Sequence, residues 1–227
     1  MMKQRREFLR RLSYILFPRR CVCCGRVIVP SLEICPECAE NFTRADESSA
    51  DHAGGCFCAA VCVFDYSGAA EQCVRRLKFD GARENAEFLG AEMAQAVKQA
   101  FAGKHFDTVC GVPMRKKNER ARGYNQSFLL AKAVAENLGI SADNTLLRKI
   151  YDTDNQHGLG RMSRMGNLLG VFDVPEPERV RDKTVLLCDD VRTTGSTLNE
   201  CAKMLMLHRA KEVVCVTVAG TQEKNKN

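Results

Sequence analysis

The sequence predicts an α/β fold: a parallel sheet flanked by helices, with a small cysteine-rich module ahead of it. Three observations carry this prediction. Continuous apolar runs such as Thr184–Cys188 and Val213–Val218 read as strands buried on both faces, as a parallel sheet requires. Helical stripes separate those runs, giving the strand–helix alternation of such a sheet. Eight of the 13 cysteines fall within residues 21–62, where no long periodic element fits, so that segment needs a staple.

The elements follow in order. Residues 3–17 alternate charged and apolar groups at helical spacing, with Phe8, Leu12, Ile15 and Leu16 on one face, and Pro18 ends that helix. Residues 18–58 form the cysteine-rich module, with Pro30, Pro36 and a polar linker over Thr43–Gly55. Ala60–Tyr66 reads as a strand, and Gly68–Phe79 and Ala82–Phe101 as helices; the second aligns Ala86, Leu89, Met93, Val97 and Phe101. Phe106–Val112 is an apolar strand stopped by Pro113, and Asn125–Leu138 a helix closed by Gly139. Leu146–Ile150 and Val171–Val174 are short strands around a helix at Gly158–Leu169. The strand Thr184–Cys188, the helix Ser196–Leu207 and the strand Val213–Val218 complete a domain over 59–221, and 222–227 is a polar tail.

Composition narrows the function classes. With 45% hydrophobic residues among 227, the chain can bury a real core and is not a disordered segment. No apolar run approaches the roughly 20 residues of a membrane span, and a membrane-surface role for the basic helix at 3–17 is the weakest of its readings, so a membrane partner is not expected. Trp is absent and aromatics are 7%, which argues against an extended stacking platform for single strands. The net charge of +6 is carried wholly by residues 1–20, where Lys3, Arg5, Arg6, Arg10, Arg11, Arg19 and Arg20 face only Glu7. An odd cysteine count argues against a secreted disulfide framework. Leu12–Phe17 is too short for the apolar part of a signal peptide, with Arg10 and Arg11 just before it and no small-residue cleavage site. A cytoplasmic chain with reduced thiols is expected, and clustered thiols there point to metal.

The pairs Cys21-Val-Cys-Cys24 and Cys35-Pro-Glu-Cys38 supply that metal site. A C-x-x-C turn aims two thiolates at one centre, and two such turns complete a tetrahedron, so Cys21, Cys24, Cys35 and Cys38 are the expected ligands of a structural zinc. Gly25 suits the tight knuckle after the first pair. Cys23 is an alternative to Cys24. Cys56, Cys58 and Cys62 lack the spacing and read as free thiols or remnants of a second knuckle; His52 reads as a surface residue. A redox C-x-x-C is the other alternative, against which stands the lack of a helix after Cys24.

The most informative stretch is Val185-Leu-Leu-Cys-Asp189-Asp190-Val-Arg192-Thr193-Thr194-Gly195-Ser196-Thr197. An apolar strand delivers two carboxylates, and a Thr/Gly/Ser loop then opens into a helix. The loop's N–H groups and hydroxyls and the helix N-terminus form an anion cradle. Asp189 and Asp190 would repel a phosphate, but they suit hydroxyls or a Mg²⁺-linked sugar. Together the two parts imply a phosphorylated sugar.

This stretch resembles the phosphoribosyl-pyrophosphate (PRPP) fingerprint of type I phosphoribosyltransferases. The resemblance implies that Asp189 and Asp190 hold the ribose hydroxyls. It also implies that Arg192, Thr193, Thr194, Gly195, Ser196 and Thr197 wrap the 5-phosphate, with Mg²⁺ accompanying PRPP. Arg192 stands where an apolar or small residue is more usual. Further motifs narrow the resemblance: Arg122-Gly-Tyr-Asn125-Gln126-Ser after the strand at 106–112, Gln156-His-Gly-Leu159, Arg164-Met-Gly-Asn167-Leu-Leu-Gly170, and the opening Leu16-Phe-Pro-Arg-Arg-Cys21-Val-Cys-Cys-Gly25. Over about residues 12–219 the chain is similar to the ComF family, competence proteins and their relatives with an N-terminal zinc finger, here a zinc-ribbon-like module, on a phosphoribosyltransferase domain.

Arg115, Lys116, Lys117, Arg120 and Arg122 read as a loop leaving the same sheet end as the acidic motif. They form either a solvated face or a basic loop that closes over the diphosphate of PRPP. Asn125 and Gln126 are expected to pin that loop to neighbouring backbone. Gln156, Arg164 and Asn167 either position another loop or serve structure.

Two classes of function follow. The resemblance implies DNA uptake during natural transformation, with single-stranded DNA, a competence helicase and DNA-processing proteins as partners. The basic helix and the zinc module would then meet DNA phosphates, unless the helix simply packs on its own fold. The alternative is an active phosphoribosyltransferase of nucleotide or amine metabolism, in which a nitrogen nucleophile displaces pyrophosphate from PRPP. The sequence contains a donor site and no recognisable acceptor site.

Overall fold

A four-stranded parallel sheet in the order β1–β6–β5–β2 organises the chain. The structure, a computed structural model, describes residues 18–45, 56–150 and 171–221. The expected helices at 3–17 and Gly158–Leu169, His52, Gln156, Arg164, Asn167 and the tail 222–227 lie outside the described residues.

In chain order the elements are α1 (Pro36–Glu40), β1 (Ala59–Asp65), α2 (Gly68–Phe79), α3 (Asn85–Ala100), β2 (Thr108–Gly111), α4 (Lys116–Arg122), α5 (Gln126–Leu138), β3 (Arg148–Lys149), β4 (Phe172–Asp173), β5 (Thr184–Arg192), α6 (Ser196–Leu207) and β6 (Glu212–Gly220). A 3₁₀ turn, Pro177–Arg179, precedes β5. β6 is buried from Val213 to Gly220 because it lies between β1 and β5 and is covered on both faces. Leu186, Cys188, Val214, Val216 and Val218 face α2, α3 and α5. Val185, Leu187, Val213 and Cys215 face α6 and the small β3–β4 pair. This is the period-two alternation of a strand with an apolar layer on each side.

The cysteine-rich segment is not a separate bead. Cys21, Val22, Cys23, Cys35 and Cys38 share one apolar cluster with Cys73, Val74 and Leu77 of α2. Arg76 donates to the carbonyls of Cys21 (2.7 Å) and Val22 (3.0 Å), and the Asn85 amide donates to Val22 (2.6 Å).

Three expectations change. The start of the linker read at Thr43–Gly55 is sheet edge: Ala45 N–H donates to Val63 and Asp65 N–H to Thr43, with an antiparallel bridge between Arg44 and Phe64. β1 is an edge strand with open backbone groups, and these residues cover it. The strand expected to stop at Cys188 runs on to Arg192, because β6 continues to pair with it through Arg192 and Gly220. The basic segment 115–122 is a helix rather than a loop. Its seven residues from Lys116 contain neither Gly nor Pro, and Gly123 ends it in the left-handed region at φ 81°.

Candidate functional site

At the cysteine cluster, backbone turns do the assembling. Gly25 adopts φ 73°, and its N–H donates to the Cys21 carbonyl at 2.9 Å, closing a knuckle around the first pair. The second pair opens α1, with Pro36 at its first turn. The sulfurs of Cys21, Cys24, Cys35 and Cys38 all lie within 4.8 Å of one another, so the group could hold a metal ion. Cys24 and Cys35 are 3.7 Å apart, close to the ~3.8 Å edge of a tetrahedron with 2.3 Å zinc–sulfur bonds. Burial raises the Cys21 thiol, but N–H groups led by that of Cys35, at 3.3 Å, outweigh it and bring it down to about 6. Cys38 and Cys24 are pushed up, chiefly by burial. Cys23 is not a substitute for Cys24. It faces Cys73 of α2, and that contact, with burial, pushes its thiol well up. Cys56, Cys58 and Cys62 form no disulfide among the described residues and lie outside the four-sulfur group, and Cys62 accepts from the Thr217 hydroxyl at 3.0 Å.

At the other site, the C-terminal sheet end gathers remote parts. Gly111 of β2 lies opposite Cys188 of β5, and Val112 N–H donates to the Cys188 carbonyl at 2.9 Å, so the Val112–Arg115 connection leaves beside Asp189. The β1–α2 turn reaches the same end, where Tyr66 N–H donates to the Gly220 carbonyl at 2.9 Å. Both carboxylates lie inside β5, where successive side chains leave opposite faces. Asp189 accepts from the Ser127 hydroxyl at 2.7 Å and from Asp190 N–H at 2.9 Å. Burial, with Asp190 next to it, raises its pKa to about 7. Asp190 is 3% exposed and pairs with Lys78 at 2.6 Å, and its Oδ2 is buried without a partner among the described residues. The pair is therefore not at the solvent end of a strand, as a strand ending at Cys188 would have it.

The loop after β5 is open. Thr193, Thr194, Ser196 and Thr197 are exposed, and Gly195, at φ 73°, turns the chain into α6. Thr194 and Ser196 hydroxyls are 2.8 Å apart, and Thr221 N–H donates to the Arg192 carbonyl at 3.0 Å, tying the loop to the end of β6. Exposed hydroxyls and the first N–H groups of a helix form a cradle that can take an anion.

The basic helix α4 buries no residue. Lys116, Lys117 and Arg120 are exposed, whereas Arg122 donates to Gln126 and stacks over Phe79 at 5.4 Å. Asn125 caps α5 by accepting from Ser127 N–H, and its amide donates to Val112 at 3.1 Å. Asn125 thus pins the segment to backbone as expected, whereas Gln126 holds the Arg122 side chain rather than backbone.

Two residues that shape the pair had no assigned role. Ser127 was visible only as the end of the R-G-Y-N-Q-S motif. Its approach depends on Gly111, where a Cβ would lie 2.4 Å from the Ser127 carbonyl oxygen. Lys78 had a faint signal: a cation one residue past the buried Leu77 at the end of α2.

Among the described residues, no helix is long and apolar enough to cross a membrane. Residues 83–227 match the phosphoribosyl transferase domain family. The DNA utilization protein YhgH of Salmonella typhimurium is 30% identical over 202 residues, which cover 85% of this chain and 86% of that protein. Competence protein F of Haemophilus influenzae is 33% identical over 108 residues, 47% of each chain. A solved structure of an allosteric regulatory enzyme of purine biosynthesis aligns with TM-score 0.44 and 23% identity over 58% of this chain; the match spans 25% of that enzyme. A domain match over residues 83–227, a relative whose match covers 85% of this chain and a competence protein among the others lead to one assignment: the chain belongs to the ComF family of phosphoribosyltransferase-type proteins.

Proposed function

We propose that this chain binds PRPP or a related ribose 5-phosphate ligand at the C-terminal end of β5 and β2, and that it serves the uptake or use of DNA. The observation that carries the first part is continuity. One buried strand bears Asp189 and Asp190 and leads within three residues into an exposed hydroxyl-rich loop that opens α6. Asp189 and Asp190 would take the ribose hydroxyls. Arg192, Thr193, Thr194, Gly195, Ser196 and Thr197 would take the 5-phosphate. Arg115, Lys116, Lys117, Arg120 and Arg122 leave the same sheet end, where a diphosphate would need cations.

Mg²⁺ bound with the ligand would offset diphosphate charge. An ion that keeps several waters suits a site with two carboxylates, one of them carrying a buried oxygen without a partner. The four-cysteine group fits zinc in donor type and spacing, and its role would be structural. The DNA part rests on the relatives named for DNA utilization and competence. Single-stranded DNA, a competence helicase and DNA-processing proteins are the corresponding partners. Cysteines that form no disulfide among the described residues suit a cytoplasmic setting.

The basic helix at the diphosphate end also supports a second reading, transfer of the phosphoribosyl group to a nitrogen nucleophile with release of pyrophosphate. Positioning and charge stabilisation would then carry the catalysis.

Calorimetry with PRPP and Mg²⁺ tests the ligand. Asp189→Asn keeps the Ser127 acceptor and the shape of the residue, so the fold should survive while affinity falls at least about tenfold, the worth of one charged hydrogen bond. Equal affinity in the variant would overturn the assignment. Pyrophosphate release during incubation with mixed bases and amines would favour the transferase reading.

A further inference from the structure

We propose that the last turn of α2 makes ligand binding at β5 depend on the cysteine knuckle: Arg76 seats the helix on the knuckle, and Lys78 positions Asp190 for the ligand. This rests on the ligand part of the proposed function and adds a control to it. Three consecutive residues meet three separate parts of the molecule. Arg76 donates to the carbonyls of Cys21 and Val22, and its guanidinium lies against the Gly25 turn, where a Cβ would come within 3.2 Å of it. The Leu77 carbonyl accepts from the Tyr124 hydroxyl, at the turn between α4 and α5. Lys78 pairs with Asp190 of β5 at 2.6 Å. Residues two apart on a helix point about 200° apart, so Arg76 and Lys78 leave opposite sides of α2, one to the knuckle and one to the sheet. None of the three falls within the residues 83–227 that match the domain family.

At the sheet, each carboxylate is held by one oxygen. Both hydrogen bonds to Asp189 fall on Oδ1, and Lys78 takes Oδ1 of Asp190, whose Oδ2 is buried without a partner among the described residues. Lys78 therefore fixes how Asp190 presents its remaining oxygen to a ribose hydroxyl. The Lys78 and Asp190 side chains are 22% and 5% exposed, and a carboxylate this buried does not keep its place once its cation leaves. At the knuckle, order depends on metal. Its four thiols sit on two turns and a five-residue helix, and in such modules metal binding and folding are one free energy. Losing the metal would free the two carbonyls that hold Arg76, loosen the end of α2 and spoil the aim of Lys78 at Asp190. Linkage runs both ways: ligand must tighten the hold on zinc by the factor by which zinc tightens ligand.

Competition with a chromophoric chelator reads the zinc affinity of the intact chain, with Mg²⁺ throughout and PRPP either absent or at a level that calorimetry shows to saturate each form. PRPP should raise zinc affinity about tenfold, a usual size for coupling between two sites. Lys78→Gln, which keeps a donor without the charge, should lose that rise, and Lys78→Arg, which keeps a cation on Asp190, should retain it. Arg76→Met spares the carboxylates and all four thiols and should lose the rise as well; it carries the test if Lys78→Gln does not fold. Failure of the zinc-loaded intact chain to bind PRPP in the calorimeter would remove the ligand reading, and this inference with it. Binding of PRPP that leaves zinc affinity unchanged would keep the ligand reading and overturn the coupling. A rise that persists in full in both Lys78→Gln and Arg76→Met would overturn the route through α2.

Discussion

The four-cysteine cluster and the carboxylate pair both lean on helix α2, yet they are assembled in opposite ways. The cluster is local. Two turns, each closed by its own backbone, aim four sulfurs at one point, and α2 only backs them through Arg76 and Cys73. The carboxylate pair is built from distance. Asp189 takes its hydrogen bond from α5, and Asp190 its countercharge from α2. A site made by spacing is complete once its segment folds. A site made by convergence depends on every element that reaches it.

That contrast can be broken most forcefully at the cluster. Elemental analysis of protein purified without chelator should find one zinc per intact chain, and none in Cys35→Ser with Cys38→Ser. Because the knuckle shares its apolar cluster with α2, the loss should extend beyond residues 18–45. Hydrogen exchange in Gly68–Phe79 should accelerate by orders of magnitude, since metal binding and folding are one free energy in such knuckles. Unchanged protection of α2 would mean that the cluster is self-contained after all.

Lys78→Met should cost about 3–5 kcal/mol in urea unfolding, because it strands a buried carboxylate. Adding Asp190→Asn should recover much of that loss. If the two changes instead add independently, the pair is not coupled.

Asp189→Asn should act on pH dependence. The raised pKa, about 7 against about 3.9 for a free side chain, means that the folded form holds the proton more tightly. The contribution of Asp189 to stability is therefore full below about pH 4 and is lost as pH rises through the folded pKa. Asp190, Lys78 and Ser127 are the groups that face it. The variant should show a flatter stability profile between pH 4 and 7. An identical profile would place the proton elsewhere.

The smallest expected effect is that of Ser127→Ala, about 1–2 kcal/mol for one hydrogen bond to a carboxylate. Because that bond lowers the Asp189 pKa, its removal should raise the value further, which NMR titration would read.

The same contrast governs what could be read without coordinates. The four-cysteine cluster was legible because C-x-x-C spacing states its geometry. The sheet, the carboxylates and the hydroxyl loop were legible because buried strands and helix starts carry local signatures. Lys78 and Ser127 were not, since nothing in Leu77-Lys78-Phe79 announces a partner on β5. The length of β5 was misjudged for a related reason: Asp189 and Asp190 look like an ending until Lys78 and Ser127 are known to satisfy them. The helix at Lys116–Arg122 was hidden by its charges, which read as a solvated loop although every residue in it tolerates a helix.

Helix α2 also decides how the chain can be cut. A fragment begun at Ala59 would keep all four strands of the main sheet, yet Cys73 would lose the Cys23 sulfur against it. Arg76 would lose its carbonyl acceptors, and the Asn85 amide its shorter one, 2.6 Å to Val22. The fully buried Cys73 would then lie at a raw seam. Exchange of parts between relatives is constrained in the same way. A knuckle moved to a new host must bring α2 with it, so the unit of inheritance is the knuckle together with the helix that seats it.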